Sequence, residues 1–378
     1  MAVAASRAQV AGIYRSGTDR PQASRRDHAI TMLLATWMMF GVFLDGWAHN
    51  NVIEDIESFF TPWHGVFFSG FAATAVWMGF VVMRRQKARA GIDLSLIPVG
   101  YGTGVVGLML FAAGGVGDMI WHTIFGIEEG TEALLSPTHL LLFVGAALIL
   151  TSPLRATWHA QSPAEPTLRE FAPVLASIVL TTAGVAFFFM YLVPFTQWFP
   201  TAGFDTWASA RHFDVVEMGF ELGIASHLWT SLLLVAPLLV ANRRWRLPFG
   251  SATILFSTVA VGLSAVEAFD GGEKVVAALV GGLAADVILR VLRPRGSVWR
   301  FRATAGLLTL PLWIAEFAVI ELVWDLGWVV EFWAGTACLA SLVCFALACV
   351  MTTAPVPSPQ KDVEGQHLAG ISAGRASL

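Results

Sequence analysis

Two stretches of this 378-residue chain place one carboxylate and two imidazoles at matched spacing. The first is Asp45-Gly46-Trp47-Ala48-His49, followed by Thr61-Pro62-Trp63-His64. The second is Asp118-Met119-Ile120-Trp121-His122, followed by Ser136-Pro137-Thr138-His139. In a helix, an Asp and a His four residues apart lie on one face. Ser or Thr before Pro is a helix-start signal: the hydroxyl caps free N–H groups, and Pro fits the first helical position. His64 and His139 then fall in the first turn of a following helix. Each stretch brings its three side chains to the mouth of a helical hairpin, and all three are ligands of first-row metals. Without a thiolate, the set suits copper(II), zinc or non-haem iron. Haem held between His64 and His139 is a further reading, but the nearby acids and the Asp-x3-His pairs fit a bare ion better. In the competing reading, the histidines merely cap helix starts and the aspartates merely bound apolar runs. The recurrence of the whole pattern favours ligation.

The recurrence extends between the ligands. Ile53-Glu54-Asp55-Ile56-Glu57 resembles Ile127-Glu128-Glu129-Gly130-Thr131-Glu132, with one residue inserted. Phe59-Phe60-Thr61-Pro62-Trp63-His64 resembles Leu134-Leu135-Ser136-Pro137-Thr138-His139. The chain therefore reads as carrying an internal duplication with a step of about 74 residues, and such repeats dictate architecture. The acidic connectors differ in length between the copies. Glu128, Glu129 and Glu132 are accordingly expected to attract cations or orient ligands rather than to bind the ion directly.

The elements that must position these residues are membrane helices. The chain is 56% hydrophobic and only 13% charged, with 15 Trp and 27 Phe. A span needs roughly 20 apolar residues. Candidate runs fall at 29–47, 63–83, 98–121, 137–152, 172–192, 219–241, 249–268, 275–293, 303–323 and 328–352. The expected fold is an all-α polytopic transmembrane bundle of about ten spans in five outward-opening hairpins, the first two an internal repeat. Its parts are a basic cytoplasmic tail (1–28), hairpin repeat 1 (29–83), hairpin repeat 2 (98–152), six further transmembrane helices (171–352) and a polar tail (353–378) expected to be disordered. The inner loop from Pro153 to Glu170 reads as irregular, with His159 solvated. The Arg- and Ser-rich N-terminus lacks the apolar core of a cleavable signal.

Basic residues mark cytoplasmic loops. With the N-terminus inside, only Arg211 and Lys274 of the 23 basic residues fall outside. Both termini are then cytoplasmic, the acidic connectors face outward, and the expected location is the cytoplasmic (inner) membrane. An outward-facing site suits a metal delivered from outside the cytoplasm, which favours copper.

Other polar residues lie along the spans. The loop from Pro194 to Met218 and the helix after it carry His212, Glu221 and His227, a weak echo of the repeated pattern. Carboxylates at membrane depth are costly and tend to face a cavity or a partner. Asp286 and Glu316 are the deepest, and three readings stay open: a proton path, mutual pairing, or protonated packing residues. Cys338, Cys344 and Cys349 all fall in the last apolar run and read as small apolar packing residues.

Asp118 to His122 followed by Ser136-Pro137-Thr138-His139-Leu140 resembles a motif of the C subunit of copper membrane monooxygenases, the group of the particulate methane and ammonia monooxygenases. That motif has an Asp, a His four residues later beside a Trp, and a Thr-Pro-Ser-His-like element. The resemblance implies copper ligation by Asp118, His122 and His139. The connector here is longer, and the rest of the chain does not share the likeness. Asp45, His49 and His64 form the matching set by repetition.

The sequence thus points to a membrane metal-binding protein, with copper first and zinc or non-haem iron as alternatives. Its expected chemistry is redox or oxygenase-type, on a small or lipid-soluble substrate at the outer face. A metal-ion or small-solute transporter using the same sites is the main alternative. A sensory or structural subunit whose histidines titrate is another. The expected surroundings are the lipid bilayer and an oligomer or partner subunits, with no nucleic acid. Two mononuclear centres and one shared centre both remain open. The ligand atoms of each set should converge to within about 4–5 Å, because metal bonds to N and O are roughly 2.0–2.2 Å.

Overall fold

The computed structural model describes residues 20–52, 59–86, 92–126, 131–211 and 213–353. Both tails beyond these limits, the acidic segments 53–58 and 127–130, and His212 lie outside the described residues. The chain is an all-helical bundle with no β-strand among the described residues.

Ten long helices follow one another: α1 (Arg25–Asn51), α2 (Pro62–Met83), α3 (Tyr101–Phe125), α4 (Pro137–His159), α5 (Leu168–Phe188), α6 (Phe213–Arg244), α7 (Ser251–Val266), α8 (Lys274–Leu292), α9 (Val298–Trp324) and α10 (Val330–Met351). Among the described residues, nine of them are long and apolar enough to cross a membrane. The exception is α7, whose 16 residues fall short of the expected 249–268 run. Its apolar run continues into Glu267, Ala268 and Phe269, but there the helix unwinds, with φ of 52° and 62° at the last two. Leu33, Val76, Leu322 and Val350 are 69%, 75%, 84% and 70% exposed within membrane-length helices. Such apolar surface on the outside of a bundle matches a hydrocarbon environment rather than water.

Three boundaries differ from the sequence reading. The segment after Leu150 is not irregular: a further helix, Ser152–His159, prolongs α4, and His159 is exposed at its end. Pro153 sits in the first turn of that helix, where its missing N–H costs nothing. Helix α6 starts at Phe213, earlier than 219, and the loop before it contains a short helix, Ala202–Ser209. Helix α9 is interrupted at Leu308–Thr309, ahead of Pro311, whose ring has no N–H to continue the ladder.

Helix α1 packs on α2, and α3 on α4, as two antiparallel hairpins; α5 touches α1, α4 and α7, and α6–α10 build the second half. The two hairpins close in the same way. A Cβ built on Gly41 would lie 2.4 Å from the Phe67 Cα, and one on Gly114 would lie 3.0 Å from the Leu142 nitrogen. On the facing helices, a Cβ on Gly70 would meet the Met38 nitrogen at 2.5 Å, and one on Gly145 would meet the Phe111 nitrogen at 2.7 Å. Small residues that let backbones touch are how membrane helices pack closely. These glycines recur at the same step as the ligands.

Asp27, near the start of α1, pairs with Arg84 at 2.5 Å at the end of the hairpin opposite Asp45 and His49. Asp286 hydrogen-bonds to the start of α7 and not to Glu316. From α8 it accepts the Ala252 and Thr253 N–H groups, both at 3.0 Å, and the Thr253 hydroxyl at 2.6 Å. It therefore caps the start of α7, a helix with no capping side chain of its own. Asp286→Ala is expected to remove about 1–3 kcal/mol of stability, the cost of leaving buried donors unmet. A lower thermal midpoint in detergent, with bound metal unchanged, is the expected reading.

Candidate metal centre

Helix α1 carries Asp45 and His49 on one face of its last two turns, and α2 brings His64 in its first turn. Thr61 fixes that start by accepting the His64 backbone N–H at 3.2 Å. In the second hairpin, Asp118 and His122 lie near the end of α3, and Ser136 accepts the His139 N–H at 3.2 Å. One ligand atom from each of Asp45, His49 and His64 lies within 4.8 Å of the others, and the same holds for Asp118, His122 and His139. Both groups thus meet the 4–5 Å expectation, each within a single hairpin.

The distances are alike. His64 Nε2 is 3.6 Å from Asp45 Oδ1, and His49 Nε2 is 3.9 Å from Asp45 Oδ2. His122 Nε2 is 3.5 Å from Asp118 Oδ2, and His139 Nδ1 is 3.6 Å from Asp118 Oδ1. Three of these separations exceed hydrogen-bonding range and the fourth, His122 to Asp118 at 3.5 Å, stands at its edge; all are of the size that a shared ion spans. The two groups stand side by side: the Phe59 ring stacks on His64 at 4.7 Å between centroids and lies 6.3 Å from the His122 ring.

Outer contacts orient the rings. His64 Nδ1 donates to the Phe59 carbonyl at 2.7 Å, which leaves Nε2 as the basic nitrogen facing Asp45. His122 Nδ1 lies 3.2 Å from the carbonyl of Gly126, whose φ of 83° turns the chain out of α3. His139 Nδ1 lies 2.7 Å from the Ser136 hydroxyl. For His64 and His122 this is a hydrogen bond on the second nitrogen, the kind that holds metal-ligating imidazoles in place, whereas the Ser136 contact falls on the His139 nitrogen that faces Asp118.

The two groups differ at one point. The Thr138 hydroxyl donates to Asp118 Oδ1 at 3.0 Å. Trp63 stands at the matching position of the first hairpin, and Asp45 Oδ1 is buried there without a hydrogen-bond partner. A carboxylate set between two imidazoles, with one buried oxygen lacking a donor, is a fitting seat for a cation. The donor set is two nitrogens and one oxygen in each group, with no thiolate; Cys338, Cys344 and Cys349 all lie in α10.

Spacing alone did not reveal Thr138, the Phe59 carbonyl or the packing glycines. The glycines carried a readable signal, because they recur with the ligands. His227 joins neither group; it faces Glu316 in the second half. Glu221 is exposed on α6. The acidic connectors invoked for cation attraction lie outside the described residues, as does the side chain of Glu132.

Comparison with protein-family models, curated proteins and solved structures finds no match for this chain.

Proposed function

We propose that this integral membrane protein binds metal, with copper as the ion, through Asp45, His49 and His64 in one hairpin and Asp118, His122 and His139 in the next. The observation that carries the reading is the convergence of three ligand atoms to within 4.8 Å in both hairpins. Repetition makes chance less able to explain the geometry than it would in one hairpin. The carboxylate–imidazole donor set fits copper(II), zinc or non-haem iron. The likeness of Asp118–Leu140 to the copper membrane monooxygenase motif, together with an outward placement drawn from the arginine distribution, selects copper among them. The membrane is then the cytoplasmic one, with the groups at its outer face.

Bound copper supplies redox cycling and Lewis acidity. The chain's own residues do the rest. Asp45 and Asp118 provide negative charge that offsets the ion. The Phe59 carbonyl and the Ser136 hydroxyl fix ring orientation. Exposed His49 leaves its group open to the surface. This arrangement supports redox chemistry on a small or lipid-soluble substrate. Ion transport through the same sites is the second reading. It needs acids leading inward, and Asp286 is committed to capping α7.

The test is elemental analysis of protein purified without chelators from cells supplied with copper, zinc and iron in turn. Copper retained through gel filtration supports the proposal. Protein that retains none, and takes up none when titrated, contradicts it. Thr138→Val should weaken the second group by about 10–100-fold, the usual cost of losing an outer contact to a ligand, and leave the first group unchanged. Competition titration against a chromophoric chelator reads both affinities.

A further inference from the structure

The second half of the bundle holds an unused polar cluster. His227 of α6 and Glu316 of α9 are both buried, at 1% and 0% exposure, and His227 Nε2 lies 3.7 Å from Glu316 Oε2. Helix packing places both inside the apolar core: the rings of Trp313, Phe317 and Trp328 surround the imidazole at 4.7, 5.2 and 5.7 Å.

Hydrogen bonding settles the tautomer. His227 Nδ1 donates to the Gly223 carbonyl at 2.6 Å, so Nε2 of a neutral ring is a bare acceptor. It faces a carboxylate, which when ionised only accepts. Nε2 and both Glu316 oxygens are buried without a hydrogen-bond partner. Two acceptors left facing each other in a low-dielectric core are costly, and a proton between them turns the clash into a hydrogen bond.

Charge opposes that gain. Lys274, at the start of α8, is buried and bears electrostatically on both His227 and Glu316. Its ammonium donates to the Pro194 carbonyl at 3.0 Å and to the Gln197 carbonyl, and it is also influenced by Glu273 and Asp270. Without the extra proton, Lys274 and an ionised Glu316 balance in charge, but the acceptors stay unmet. With it, the hydrogen bond forms and the cluster carries one more positive charge. The two states trade a hydrogen bond against a charge, which is the condition for reversible uptake.

We infer that His227 and Glu316 form a buried proton-binding site, distinct from the metal groups, that takes up one proton between Nε2 and Oε2. A proton is the ligand that fits: the ring packing encloses the pair, and the 3.7 Å gap spans no organic group. The step forms one O–H bond on Glu316 or one N–H bond on His227, breaks one O–H bond of a hydronium ion and releases water.

Infrared spectroscopy of the full-length protein in detergent, titrated from acid to alkaline pH in H2O and D2O, tests this. The expected result is a pH-dependent signal, either a protonated-carboxyl carbonyl stretch or an imidazolium mode. A carboxyl band should shift in D2O, disappear in Glu316→Gln and change frequency in His227→Gln; an imidazolium mode should shift in D2O, disappear in His227→Gln and lose its pH dependence in Glu316→Gln. Should His227→Gln fail to fold, ring-labelled histidine in the wild type gives the imidazolium reading directly. An ionised Glu316 beside a neutral His227 at every pH overturns the inference. So does a protonated Glu316 whose band is indifferent to His227.

Discussion

Replacing His139 by Ala will lower the metal affinity of the second hairpin by more than about 100-fold, since even outer contacts to a ligand are worth 10–100-fold. The helix should survive the change. Ser136 accepts the backbone N–H of residue 139, which Ala keeps, and Pro137 still occupies the first turn. Asp118 also keeps the Thr138 hydroxyl. Loss of metal therefore separates from loss of fold. His64→Ala should act in the same way on the first hairpin, where Thr61 caps the same backbone position. One variant should leave about half the wild-type metal, and the pair should leave none. Equilibrium metal content after dialysis, with far-ultraviolet circular dichroism on the same samples, checks both statements. Full metal in the double variant would place the ion elsewhere.

Gly70→Val and Gly145→Val should each cost at least about 3 kcal/mol, the upper range for overpacking a closed interface. Each new Cβ would sit within 2.7 Å of a backbone atom on the facing helix, so no side-chain rotation relieves the clash. The helices must separate, and the hairpin mouth opens with them. Metal binding and folded yield should then fall together, unlike in the histidine variants. Gly65→Ala and Gly79→Ala are the controls, because a Cβ at either meets nothing within 4 Å. Yield after solubilisation and thermal midpoint in detergent give the comparison. Equal tolerance at all four positions would show that the hairpins do not close on these glycines.

Much of this was legible because membrane folding leaves strong marks. Apolar runs of span length need only composition to be seen, and helix is the form that satisfies their backbone in lipid. The Asp-x3-His pairs and the Ser/Thr-Pro starts are local in sequence, so their geometry could be read off helical periodicity. What was not legible depended on packing between distant segments. Asp286 looks like an isolated buried acid until α7 is seen to present it with free N–H groups. Glu316 and His227 are far apart in the chain and meet only when α6 and α9 are placed in the folded bundle. The shortness of α7 depends on a turn at Ala268 and Phe269, residues whose types do not announce positive φ.

X-ray absorption at the metal edge of the purified, metal-loaded protein tests the central claim most directly. The account predicts a shell of nitrogen and oxygen neighbours at roughly 2.0–2.2 Å, with the outer scattering of imidazole rings and no sulfur shell. The imidazole scattering should fall in His64→Ala and His139→Ala. A spectrum of hydrated ion without imidazole scattering, or one with a sulfur neighbour from the cysteines of α10, would contradict it.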